Sequence, residues 1–192
     1  MASGILQGMR VAILVSDGFE ETELSEPERV LETDGAATFV ISPMEDKVKG
    51  WSEAHVEKQL PVDIRLKSAK PADFHALLLP GGTMSVSNLR SNPEAVQFVK
   101  HFVEMLKPVA AIGEGPSLIV QTGAVSAKAV TSAPALKSEL EKAGAKWVDE
   151  EVVCDGNVIT SRTLADLSAF SREMVRVFAE VREHSTDMRK IY

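Results

Sequence analysis

The stretch that decides the fold is VAAIGEGPSLIV, Val109 to Val120. Four apolar residues run to Ile112. Gly113-Glu114-Gly115-Pro116 breaks the run, and a second apolar run follows. Such a pattern reads as a buried strand bending sharply into a helix, with proline suited to the first helical turn. A bend of this kind can hold a catalytic nucleophile in a strained conformation. Here the bend carries glycine and glutamate, with no serine or cysteine. Glycine adopts the strained angles at little cost and removes any nucleophilic side chain.

The same alternation extends on both sides. Val11–Val15, Thr38–Ile41 and Ala76–Leu79 read as further strands. Ser25-Glu-Pro-Glu28 offers a helix cap and capping box, with Pro27 in the first turn. Residues 93–106 place Val96, Val99, Phe102, Val103 and Leu106 on one helical face. The stretch 47–62 is polar and irregular, an excursion with hairpin character. Glu151–Cys154 and Val158–Thr160 flank a turn at Asp155-Gly156-Asn157, a hairpin signal. Residues 165–181 read as a last helix, with a polar tail at 182–192. Strands alternating with helices predict an α/β sandwich around a mostly parallel sheet. The length of 192 residues predicts one domain, with its core at about 9–181.

Composition narrows the function classes. The net charge of −7 argues against nucleic acid or an anionic membrane as partners. No apolar run approaches the roughly 20 residues of a membrane span. One cysteine, Cys154, rules out an intrachain disulfide and suits a reducing cytosol. No secretory signal is expected, and the expected location is cytoplasmic.

In an open α/β sheet, ligands bind at the carboxyl ends of the strands. Three such ends stand out: SDGFEETE after the first strand, PGGTMS after the third and GEGPS after the fourth. If they are neighbours, Glu20, Gly82 and Glu114 converge. Peptide N–H groups near Gly82, and those opening the helix after Gly113, could then cradle an anion. Gly82, Gly113, Gly115 and His55 are accordingly the candidate ligand-binding residues, and Glu20 and Glu114 the candidate catalytic ones.

These residues resemble the ThiJ/PfpI family, in particular its intracellular protease-like branch. The matching stretches are VAILVSDGFEETEL, DFHALLLPGG, NPEAVQFVKHF, KPVAAIGEGPSLI, LEKAGAKWVDEEVVCDGNVITSR and DLSAFSREMV. The resemblance implies a flavodoxin-like three-layer sandwich of the class I glutamine-amidotransferase type. It also implies homodimers, in some cases hexamers, and protease, amidase, glyoxalase-like or deglycase chemistry. In that family the elbow reads Ala-Ile-Cys-His-Gly-Pro, with a thiol nucleophile activated by a helix start and a nearby carboxylic acid. This chain reads Ala111-Ile112-Gly113-Glu114-Gly115-Pro116. Glu20 is matched to the family glutamate, and Val86 stands where the branch has an acidic residue. Thr131-Ser132-Ala133-Pro134 lacks the branch's tyrosine.

The expectation is therefore a family scaffold without its cysteine and histidine, non-catalytic, with a binding, assembly or stress-related role. Two alternatives stay open. Glu20 and Glu114 could share a proton and act as an acid–base pair in a hydrolase or hydratase. The elbow could instead sense a small anion or metabolite. Ser117 lacks a neighbouring base, and Cys154 reads as a small core residue. No histidine pair has metal-ligand spacing, and no metal or cofactor is expected.

Overall fold

The computed structural model describes residues 4–52 and 57–188. In chain order, β1 (Arg10–Leu14), β2 (Phe19–Glu20) and α1 (Glu21–Thr33) come first. Next are β3 (Ala37–Ser42), the hairpin β4 (Lys47–Trp51) and β5 (Glu57–Pro61), β6 (Ile64–Arg65) and β7 (Ala76–Leu79). Then follow α2 (Thr83–Arg90), α3 (Pro93–Glu104), β8 (Val109–Ile112), α4 (Pro116–Val120) and β9 (Ala129–Val130). The chain closes with α5 (Lys137–Lys142), β10 (Lys146–Trp147), β11 (Val152–Asp155), β12 (Val158–Ser161) and α6 (Leu167–Met188).

Strands apolar at nearly every position must be covered on both faces. Successive side chains of β1 show how this is done. Ala12 and Leu14 enter one core with Leu77, Phe98 and Phe102. Val11 and Ile13 enter the other, with Leu24, Leu31, Phe170 and Phe178. The first core lies under α2 to α5 and the second under α1 and α6, giving three layers. The seven-stranded sheet runs β11-β12-β8-β7-β1-β3-β6. Every pair is parallel except β11 with β12.

The order sets the site. From β1 the chain moves outward to β3, then crosses back to β7 on the opposite side of β1. The switch between β1 and β7 opens a crevice at their carboxyl ends. The loops after β1, β7 and β8 all face it.

Several local readings differ from the sequence expectation. Glu20, not Ser25, caps α1, and its Oε1 accepts from the Thr22 N–H at 3.4 Å. Pro27 therefore lies inside α1, where it lacks the N–H that the Glu23 carbonyl would otherwise accept. Helix α2 has no counterpart in the sequence reading. Leu106 leaves the face of α3 altogether; it stands at φ +54° beyond the helix end, 73% exposed. Cys154 is exposed rather than a core residue, because it sits on the edge strand β11. No helix among the described residues is long and apolar enough to cross a membrane.

Candidate functional site

The elbow forms as the apolar–glycine pattern dictates. Gly113 follows β8 at φ +62°, a left-handed conformation that disfavours any residue with a Cβ. Its N–H donates to the Ser161 carbonyl at 3.2 Å, and its own carbonyl accepts from Ala133 N–H at 2.9 Å. These two bonds fix the bend to the neighbouring strand end. Gly115 packs on the end of β7, so closely that a Cβ there would meet the Leu79 carbonyl oxygen at 2.2 Å.

The side chain that faces Gly113 is that of Glu23. A Cβ built on Gly113 would lie 2.7 Å from Glu23 Oε1 and 2.8 Å from Oε2. The Glu23 carboxyl therefore occupies the space beside the elbow where a nucleophile's side chain would project. Glu20 stands at the helix cap instead, three residues earlier. Sequence reasoning missed Glu23 because it started the helix at Ser25. With α1 starting at Glu21, Glu23 falls in the first turn and points inward. The usable signal is the three-residue spacing of Glu20 and Glu23, which places them on one side of a helix start.

The Gly81–Gly82 turn holds two carboxylates. Gly81 N–H donates to Glu23 Oε2 at 2.7 Å, and Gly82 N–H donates to Glu114 Oε2 at 3.0 Å. The position a Cβ would take on Gly81 lies 2.5 Å from Glu23 Oε2 and 2.7 Å from Glu114 Oε2. Those two oxygens are thus within about 5 Å of each other, close enough for the Glu114 charge to raise the Glu23 pKa. The expected anion cradle exists, and the chain's own carboxylates fill these two donors. The elbow helix α4 adds little, since Ser117 and Leu118 N–H groups donate to Glu114 and Gly115 carbonyls.

Glu23 is 5% exposed. Its pKa is raised from 4.5 to about 8, by burial first and then by the nearby Glu114 and Glu20 charges, against the pull of the Gly81 N–H. Glu23 is thus a neutral acid at pH 7.

A cleft of about 410 Å³ opens over this group. Glu20, Glu23, Trp51, Gly82, Gly113, Glu114 and Arg162 line it. Trp51 is the register partner of Glu20 across the β2–β4 pair. Arg162 is engaged by its own neighbours: Nε and Nη2 donate to the two oxygens of Asp166 at 2.9 and 3.0 Å, and Nη1 donates to Asp149 at 2.7 Å. A larger groove of about 650 Å³ lies between α1 and α6. Its arginines pair locally, Arg29 with Glu26 and Arg172 with Ser168. The convergent chemistry is in the smaller cleft.

The other sequence candidates fall as follows. Glu20, Gly82, Gly113 and Glu114 all line the cleft. Gly115 lies behind the elbow, against Leu79. His55 lies outside the described residues. Val86 is buried in the core, so its position supplies no acid to the cleft. Ser117 is buried, and its Oγ donates to the Glu114 carbonyl at 2.9 Å. The Cys154 thiol is held above its ordinary pKa, by partial burial and then by the Glu173 carboxylate, so it is not an activated thiolate.

Known proteins place this scaffold. The model of the DJ-1/PfpI family matches residues 9–177. A deglycase of Thermococcus kodakarensis is 37% identical over 169 residues, covering 88% of this chain and 99% of that protein. Among solved structures, a two-domain protein with DJ-1/ThiJ/PfpI-like and ferritin-like domains from Anabaena variabilis aligns with a TM-score of 0.81 and 31% identity. That alignment covers 88% of this chain and 47% of the other, so the chain spans about half of that longer protein. Schizosaccharomyces pombe DJ-1 shares the fold at TM-score 0.76 and 24% identity, over 92% of this chain and 98% of its own. With a family model spanning most of its length and a 37%-identical relative matched almost end to end, the chain belongs to the DJ-1/PfpI family.

Proposed function

We propose that this chain acts as one domain that binds a small polar ligand at the elbow cleft and performs no thiol chemistry. One observation carries the reading. The elbow position that holds the family's thiol is Gly113, and the Glu23 carboxyl fills the space in front of it. A cysteine mechanism needs a thiolate at the bend, and the chain's one cysteine is on the edge strand β11 instead. The Thermococcus relative is named a deglycase. In this chain that activity, if thiol-dependent, has no nucleophile at the elbow. The test is turnover of methylglyoxal and of a glycated amine by purified protein, with Cys154→Ser alongside. The expected result is none above buffer. Turnover abolished by iodoacetamide would contradict the reading. Assembly as a homodimer or hexamer, and a cytosolic location, belong to the same proposal. Light scattering of the purified protein tests the first, and a monomer mass contradicts it.

A second reading has its own observation: a neutral buried acid, Glu23, beside an acceptor, Glu114. Such a pair could donate and accept protons in a hydration or hydrolysis. The acid pair is then Glu23 with Glu114, with Glu20 a flanking charge. Any turnover found by this route should fall as pH rises through about 8, where Glu23 loses its proton. It should also vanish in both Glu23→Gln and Glu114→Gln. Activity surviving in both variants contradicts it.

A further inference from the structure

We propose that the Glu114 side chain is a two-position gate at the elbow. In the position observed it closes on the Gly82 N–H. In the other it turns away from Glu23 into a second pocket, on the α2 side of the elbow. The proposal rests on the reading that the elbow cleft is the working site, and it adds a control over the donors of that site.

The geometry supplies both positions. Glu114 lines two cavities, the cleft of about 410 Å³ and a separate pocket of about 260 Å³. The second pocket is bounded by Thr83, Val86, Ser87 and Arg90 of α2 and by Leu136. Thr83 and Glu114 line both cavities, so these two side chains form the partition. Rotation of Glu114 about its Cα–Cβ bond, from one staggered position to the next, carries the carboxylate from one side to the other. On the far side it meets the hydroxyl side chains of Thr83 and Ser87 and the guanidinium of Arg90. Arg90 is paired there with Glu139 of α5 at 2.7 Å.

The three carboxyl groups are held unequally. Glu23 is buried, accepts from the Gly81 N–H at 2.7 Å, and abuts Gly113 where a Cβ would meet it at 2.7 Å. Glu20 caps α1 through the Thr22 N–H. Glu114 is half-buried, and among the described residues its side chain makes one hydrogen bond, from the Gly82 N–H at 3.0 Å. If the cluster is strained, Glu114 is the member that yields.

Repulsion supplies the force. Glu23 Oε2 and Glu114 Oε2 lie within about 5 Å of each other. While Glu23 is neutral, Glu114 accepts from Gly82 with no like charge pressed against it. Ionised Glu23 places two anions at that separation in a partly desolvated site. Their repulsion is then comparable with the single charge-assisted hydrogen bond that holds Glu114. Glu23 is faced by the Gly81 N–H from the β7 turn, by Glu114 from the elbow and by Glu20 from the cap of α1. Arg162 stands on the cleft wall, held by Asp149 and Asp166, and Arg90 with Glu139 stands beyond Glu114. The gate is therefore shut at pH 7 and opens as pH rises through about 8, where Glu23 loses its proton.

The experiment follows nuclear Overhauser contacts of the Glu114 γ-protons in the full chain at pH 6.5 and pH 9.5. Contacts to the Gly82 α-protons are expected at the lower pH, and contacts to the Val86 and Leu136 methyl groups at the higher. The ratio of the two sets should change by roughly tenfold, the factor that one pKa unit of coupling represents. In Glu23→Gln no charge can appear beside Glu114, so the contacts should stay on the Gly82 side at both pH values. Ser87→Leu, a change at an exposed position of α2, narrows the second pocket and should hold the gate shut while Glu23 still titrates. Amide spectra confirm that each variant is folded, and either one suffices for the test. Contacts that do not change with pH in the native protein overturn the proposal. So does a change that persists undiminished in either variant. A gate that fails to move would leave the thiol-free reading intact, since that reading stands on aldehyde turnover.

Discussion

Two charged clusters share one cleft and are built on opposite principles. On one wall Arg162 holds Asp166 and Asp149 through three hydrogen bonds. On the other, Glu23 and Glu114 accept from the Gly81 and Gly82 N–H groups, with the Glu20 carboxyl nearby. The compensated cluster lowers the Asp166 pKa, through its Arg162 hydrogen bonds first. The carboxyl cluster raises Glu23 to about 8, through burial first. Buried carboxyls thus behave in opposite ways a short distance apart, and the difference is a counter-charge. The arginine-held cluster is structural. The carboxyl cluster keeps Glu23 as an acid poised near neutrality, which costs stability and is the usual mark of a working site.

The largest effect that can break this contrast is on Glu23. Its folded pKa lies above its ordinary value of 4.5, so the folded state binds the extra proton. Its contribution to stability is full below pH 4.5 and is lost progressively as pH rises to about 8. The slope approaches about 1.4 kcal/mol per pH unit in that window. Glu23→Gln should flatten the pH dependence of urea unfolding and stabilise the protein at pH 8 by several kcal/mol. An unchanged slope would mean that Glu23 titrates normally.

Next in size is Gly113→Ala. A side chain at φ +62° and within 2.7 Å of Glu23 Oε1 should cost about 1–3 kcal/mol. In a Glu23→Ala background the cost should shrink, because only the backbone term remains. Additive losses in a double-mutant cycle would show that the two residues do not meet.

A smaller and oppositely signed effect belongs to Arg162→Gln. Asp166 has a lowered pKa, so its stabilisation is present above its ordinary pKa and is lost as pH falls through the folded value. The variant should melt a few degrees lower at pH 7, and the gap to the native protein should close on acidification. A gap that widens in acid would contradict the assignment. Smallest of all is Arg176→Ala. Arg176 makes exposed pairs with Glu173 and Glu180 on α6, and its loss should stay within about 0.5 kcal/mol. A larger loss would show that exposed pairs matter here as much as the cleft.

The fold was legible because its central strands are short apolar runs punctuated by glycine. Ala76–Leu79 and the elbow after Val109 were readable to the residue. The helix α2 was not, since Thr83–Arg90 mixes serine, asparagine and threonine and is held mainly by burying Val86 and Leu89. At the site, the elbow and the Gly81–Gly82 turn could be read from their glycines. The identity of the carboxyl over Gly113 could not. Glu20, Glu21 and Glu23 lie within four residues, and only the true start of α1 decides which one turns inward. The filled cradle was equally hidden, because glycine N–H groups look the same in sequence whether a ligand or a neighbouring side chain occupies them.

The central claim is that a neutral carboxylic acid stands where the family's thiol would project. A carboxyl ¹³C titration of Glu23, assigned with the Glu23→Gln variant, tests it most directly. A midpoint near 8, shifting downward when Glu114 is changed to Gln, is the predicted result. A midpoint near the ordinary 4.5, unaffected by Glu114→Gln, would contradict it.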